Sequence, residues 1–250
     1  LSPHAEITLE ANPTHVDKAF FQEVREAGFN RLSMGLQSAN VDELRFLGRA
    51  HSPQDVARTV EHARSAGFDN LSLDLMLGLP GGSKEGLKRS IEFAAGLSVE
   101  HISSYILKVE PGTPFAFKGV ELPSEDDVSD QYLFAVEELA ALGFTQYEIS
   151  NFSRLGRESR HNLLYWRGEE YLGFGPGAHS FYGGRRFYYP RNLEGFLEGN
   201  PPVEDGPGGD FGEFAMLNLR LTRGLRREDC LARFGPQGDA LFQEVLGNAK

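Results

Sequence analysis

Leu71-Ser72-Leu73-Asp74-Leu75-Met76-Leu77-Gly78-Leu79-Pro80-Gly81-Gly82-Ser83 runs from an apolar segment through a glycine-rich turn to a serine placed to open a helix. A short apolar run bounded by turn residues suits a buried strand, and the turn lets backbone amides and a helix N-terminus face a ligand. Tight turns do the same without ligands. Asp74 lies inside the run, where a charge is expensive unless partnered, so a functional or tightly paired role is expected of it.

The same strand–helix unit recurs on both sides. Ala5 to Leu9 reads as a first strand, followed by a helix near His15 to Ala27 that Gly28 closes. Arg31 to Gly35 is the second strand. Asn40 with Glu43 resembles a capping box, Ser52-Pro53 is an N-cap followed by a first-turn proline, and Gly67 ends that helix. Ile102 to Leu107 is the fourth strand. Ser124 with Asp127 opens a helix whose Val128, Tyr132, Val136 and Leu139 share an apolar face, and Gln146 to Ile149 is the fifth strand.

Such alternation predicts an α/β fold with parallel strands, either a doubly wound sheet or a barrel. Polar residues recurring at strand ends favour a partial (β/α) barrel: Glu10, Ser33 and Gln37, Asp74, Lys108 and Glu110, then Glu148, Ser150 and Asn151. Some of these can equally cap turns. The rhythm changes after Asn151, so the expected division is a partial barrel over 1–150, an Arg- and aromatic-rich extension over 151–199, and a linker with a mainly helical C-terminal region over 200–250. Glu213 to Leu221 and Arg227 to Phe234 read as short helices, with a third still running at Lys250. Both ends look cut, and an upstream strand is expected to cover the first strand's edge.

A formal charge of -11 opposes nucleic-acid partners. No apolar stretch approaches the roughly 18 residues of a membrane span, and a single cysteine, Cys230, suits a reducing cytoplasm and excludes a disulfide framework. The net acidity is confined to residues 1–150, with 23 Asp and Glu against 12 Lys and Arg, the remainder being balanced. Between Arg154 and Arg191 seven arginines face three acids, an excess suited to ligand carboxylates or phosphates, or simply to a solvated loop.

Several side chains invite specific chemistry. Glu10 could accept two ribose hydroxyls or cap its turn; Gln37 and Arg49 could hold a carboxylate or an amide edge, or Arg49 could pair with a surface acid. Within the Arg-rich window, His161-Asn162-Leu163-Leu164-Tyr165-Trp166 places an imidazole beside two aromatics. That suits a flat, acidic, metal-bearing ligand such as haem, with His161 as a possible axial ligand; the alternative is a Trp that anchors a sheet and a hydrogen-bonded histidine. His179 is a weaker second candidate.

In order, Glu10-Ala11-Asn12-Pro13, Arg31-Leu32-Ser33-Met34-Gly35-Leu36-Gln37-Ser38, Gly48-Arg49-Ala50-His51, Asp74-Leu75-Met76-Leu77-Gly78-Leu79-Pro80-Gly81 and Tyr147-Glu148-Ile149-Ser150-Asn151-Phe152 resemble the coproporphyrinogen III oxidase-like radical S-adenosylmethionine (SAM) family. The resemblance covers roughly residues 5–235. His161-Asn162-x-x-Tyr165-Trp166 is similar to the motif of its haem-chaperone branch. The resemblance implies a radical-SAM-type barrel in which Glu10 holds the SAM ribose and Gln37, Arg49, Asp74 and Lys108 line the cofactor region. It implies haem or porphyrin as ligand at His161, Asn162, Tyr165 and Trp166, with haem-accepting respiratory enzymes as partners.

The family also carries a Cys-x3-Cys-x2-Cys loop that binds a [4Fe-4S] cluster. This sequence has no such loop, so radical generation is expected only where that segment is supplied. The alternatives to haem delivery are oxidative decarboxylation of coproporphyrinogen III and an inactive barrel used as a binding module.

Overall fold

The computed structural model describes residues 2–14 and 16–248. Its chain divides into two compact units, up to Glu158 and from Ser159 onward. In the first unit the elements alternate as the sequence anticipates: β1 (Thr8–Ala11), α1 (Lys18–Glu26), β2 (Arg31–Gln37), α2 (Val41–Phe46), α3 (Pro53–Ser65), β3 (Leu71–Leu77), α4 (Lys84–Gly96), β4 (His101–Ile106), α5 (Pro114–Lys118), α6 (Glu125–Ala141), β5 (Thr145–Glu148) and β6 (Asn151–Ser153). β1 to β4 pair in parallel and in sequence, forming the parallel core of an α/β fold.

Local chemistry sets the helix ends. Ser52 and Asp55 close a capping box around Pro53 at the start of α3, and Ser83 and Ser124 accept from the backbones of Gly86 and Asp127. Asn40 caps α2, but through Asp42 N–H; Glu43 accepts instead from the Ser38 hydroxyl, so the expected reciprocal box does not form there. Asp17 caps α1 at Lys18, and the expected start at His15 lies outside the described residues.

The core lies between one face of the sheet and the helices. Leu32, Met34 and Leu36 of β2, and Leu71, Leu73, Leu75 and Leu77 of β3, are at most 1 % exposed and pack with Phe21, Val56, Val60, Ile91 and Leu139 from the helices. Each such side chain stabilises the fold by about 1.5–3 kcal/mol through the apolar surface it removes from water.

Two expectations are corrected. The single fifth strand is instead an antiparallel hairpin, and its second strand inserts beside β4, giving the order β1-β2-β3-β4-β6-β5. Glu148 makes this turn possible by accepting from Ser150 N–H and the Asn151 side-chain amide. Because β6 belongs to this sheet, the first unit runs eight residues beyond the expected boundary at residue 150.

The second unit holds α7 (Arg160–Trp166), β7 (His179–Tyr182), β8 (Arg185–Tyr188), α8 (Leu193–Leu197), β9 (Val203–Pro207), α9 (Phe211–Asn218) and α10 (Arg227–Asn248). The expected linker over 200–209 is largely β9, the third strand of an antiparallel sheet β7-β8-β9, so no boundary falls at residue 200. The helical character expected of the C-terminal region holds in α9 and α10, the latter bent at Gly235-Pro236. Among the described residues no helix is long and apolar enough to cross a membrane.

Candidate functional site

Side chains alternate between the faces of a strand, so the apolar residues committed to the helices leave a second set on the opposite face. A parallel sheet covered by helices on both faces is apolar on both. Here the second face is polar: Thr8 and Glu10 on β1, Arg31 and Ser33 on β2, Ser72 and Asp74 on β3, His101, Ser103 and Tyr105 on β4. Strand register sets Glu10 opposite Ser33, and Asp74 between Gly35 and Ser103, with Asn151 next across the sheet.

Asp74 is the centre of this face. Its carboxylate accepts from the hydroxyls of Ser103 and Ser33, with Glu10 and Arg31 within electrostatic reach. Burial outweighs those hydrogen bonds and pushes its pKa up to about 6, so the group holds or releases a proton close to neutrality. Tyr105 stands beside it, bonded to Ser103, and burial raises its phenol pKa.

Deeper in the same face, His101 Nδ1 lies 2.7 Å from Ser72 Oγ and its Nε2 lies 2.8 Å from the Tyr147 hydroxyl. His101 is fully buried; desolvation, and then the charge of Arg31, hold its pKa well below the usual imidazole value. Arg31 is itself 4 % exposed.

Gln37 occupies this face through an unusual backbone. Its φ of 65° lies in the left-handed region, at an irregularity in the β2–β3 register. The side-chain amide folds back over Gly35, where a Cβ would collide with it, so a residue larger than glycine at 35 would displace Gln37.

Of the residues expected around SAM, the structure thus groups Glu10, Gln37 and Asp74. Arg49 lies exposed in the loop after α2, and Lys108, beyond β4, has an 81 % exposed side chain paired with Glu110 at 3.0 Å. Among the described residues no side-chain hydrogen bond or ion pair joins either to the polar face. Sequence reasoning missed Ser72, His101, Ser103, Tyr105 and Arg31 as members. Their signal was the period-two alternation within β2, β3 and β4, hidden because the partners come from four strands.

In the second unit, Ser159 caps α7 by accepting from Asn162 N–H. His161 is exposed and meets Tyr165 edge-on with ring centroids 4.9 Å apart, and Tyr165 meets Tyr171 at 4.5 Å. The Arg220 guanidinium lies 4.2 Å from the centre of the Trp166 ring, while Trp166 Nε1 is buried with no hydrogen-bond partner. Burial, then Tyr171, raise the Tyr165 pKa. Asn162 is half-buried in the same helix, and His179 stacks on Tyr188 at 5.0 Å.

The donor set separates the groups that the resemblance implies. The polar face offers carboxylate and amide acceptors suited to the hydroxyls and ammonium of a nucleoside amino acid. For a cluster the residues do not fit: the one cysteine, Cys230, is buried in the second unit, and among the described residues no group of three His, Cys, Asp or Glu side chains could hold a metal ion.

The comparisons agree with this architecture. Residues 1–94 match the Radical SAM superfamily. The chain is 39 % identical to the haem chaperone HemW of Bacillus subtilis, over 97 % of this chain and 67 % of that protein. It is also 39 % identical to HemW of Escherichia coli, over 98 % and 67 %. Among solved structures it superposes on the Escherichia coli coproporphyrinogen III oxidase HemN with a TM-score of 0.76, covering 97 % of this chain and 60 % of that one at 22 % identity, a likeness of fold. The chain therefore spans about two thirds of the length of these HemW relatives and belongs to the HemW family within the radical SAM superfamily.

Proposed function

We propose that the protein handles haem as cargo, binding it through the α7 surface and delivering it to haem-accepting enzymes such as those of respiration, with SAM as an accessory ligand of the polar sheet face. The observation that carries this reading is the exposed His161 held edge-on by Tyr165 in a helix that also carries Trp166. An accessible imidazole braced by aromatic rings can ligate iron while neighbouring apolar surface meets the macrocycle. The naming of the HemW relatives as haem chaperones supports it.

Glu10 would accept the ribose hydroxyls of SAM, and Asp74 and Gln37 would meet its polar edges. Arg49 and Lys108 would join them at the open end of the strands. Nothing in the described residues holds a cluster, so no redox step is assigned to them.

Haem titration of the protein tests the reading. Saturable binding with a Soret band that changes in His161→Ala is expected. An unchanged Soret band would remove His161 as ligand, and the absence of saturable binding would sink the proposal.

A further inference from the structure

Within the second unit, the end of α7, α9 and the first turns of α10 line an open cleft of about 520 Å³. Three guanidiniums line it: Arg167, Arg223 and Arg233. Phe214, 5 % exposed, and Asn218, fully buried, contribute an apolar wall and a polar floor.

The three cations are held differently. Arg223 is neutralised by Asp229 at 2.8 Å and also reaches Asn218 Oδ1 at 3.4 Å. Arg233 donates to the carbonyls of Gly168, at 2.6 Å, and Arg167, at 3.4 Å, and lies over the Phe214 ring. These partners fix its plane but carry no opposing charge. Arg167 is exposed, and among the described residues neither Arg167 nor Arg233 has a carboxylate partner. Glu169 is the remaining acid on the rim, so the cleft keeps an excess of positive charge beside an aromatic wall.

Guanidiniums with uncompensated charge bind carboxylates through paired N–H donors, and an adjacent ring favours a ligand with an apolar body. We propose that this cleft is a carboxylate clamp and, resting on the haem reading above, that it takes a propionate of the bound haem. Arg167 and Arg233 supply the clamp, and Arg233 is positioned for it by the carbonyls that end α7.

Haem and haem dimethyl ester, whose propionates are esterified, are titrated into the protein and into Arg167→Glu. Arg167 is exposed and, among the described residues, its side chain makes no hydrogen bond or ion pair, so folding should survive; the urea midpoint checks it. The clamp requires that haem bind roughly tenfold tighter than the ester to the unmodified protein, and that Arg167→Glu abolish this preference while leaving ester affinity unchanged. Arg223→Gln, which leaves the two clamp residues in place, should retain most of the preference.

Equal affinities for haem and ester in the unmodified protein would overturn the clamp while leaving the haem reading intact. Binding of neither would overturn the haem reading and the clamp with it. A parallel loss of both ligands in Arg167→Glu would also overturn the clamp, since it would show no selectivity for the carboxylate.

Discussion

Ser72 Oγ lies 2.7 Å from His101 Nδ1, on neighbouring strands and out of reach of solvent, and the burial that encloses this pair holds the imidazole neutral on the same sheet face as Asp74. The two groups are perturbed in opposite senses by the same burial, which makes their contributions to stability separable by pH.

His101 stays neutral in the folded state, whereas in the unfolded chain it takes a proton as the pH falls below about 6.5; the unfolded state then binds more protons and stability falls. Asp74 in the folded state takes a proton as the pH falls through about 6, but in the unfolded chain only near 3.8. Its contribution is complete below 3.8 and lost as the pH rises to about 6, amounting to roughly 3 kcal/mol. The two oppose each other on acidification. Urea midpoints between pH 7 and 5 should therefore fall more steeply in Asp74→Asn than in the parent, and less steeply in His101→Gln. Identical slopes in all three proteins would contradict both assignments.

Ser103 donates to the charged form of Asp74. Ser103→Ala should therefore move the Asp74 pKa above about 6, at a stability cost of about 1 kcal/mol. A carbon-detected NMR titration of the aspartate carboxyls reads the shift directly. A downward or absent shift would remove Ser103 as its partner.

Gln37 allows the proposed SAM contact to be tested apart from folding. Relief of its left-handed backbone in Gln37→Gly should offset the extra chain entropy of glycine, leaving stability within about 1 kcal/mol of the parent. On the proposed reading, SAM affinity should nevertheless fall, and Gly35→Ala, which displaces the same amide, should lower it similarly. Calorimetric titration with SAM and a denaturation curve distinguish this from a purely structural role, in which stability alone would change.

The bend in α10 depends on two glycines. Gly235 has φ of 62°, and a Cβ on Gly238 would press into the Cys230 carbonyl and come within 2.8 Å of Phe234 Cβ. Gly238→Ala should cost about 1–3 kcal/mol and open the packing around buried Cys230. Faster labelling by a thiol reagent, together with a lower melting temperature, is the expected result; parent-like labelling and melting would show that the helix accommodates the methyl.

The sequence alone determined where the parallel strands lie along the chain and most helix starts, because caps, prolines and apolar runs are local and each carries its own cause. Ser52 with Asp55 names a helix start, and Leu71 to Leu77 names a strand, before any long-range contact exists. Glu10, Gln37 and Asp74 were legible for the same reason: each is a polar side chain at or within a strand that its neighbours already define. The α7 motif was legible too, since its members lie within one short stretch.

Tertiary structure alone decided the rest. Glu148 could be read as a strand-end polar residue, but only the turn it bonds shows the chain reversing into β6 and extending the sheet antiparallel. His101 reads as one histidine at a strand start until Ser72 and Tyr147 arrive from other elements, and the shift in Asp74 exists only because four strands bury it together. Likewise Val203 to Pro207 carries the composition of a linker and becomes a strand because β8 offers it a free edge. Propensity and capping act within a few residues, whereas register, desolvation and electrostatic coupling depend on neighbours that are distant in sequence and adjacent only after folding.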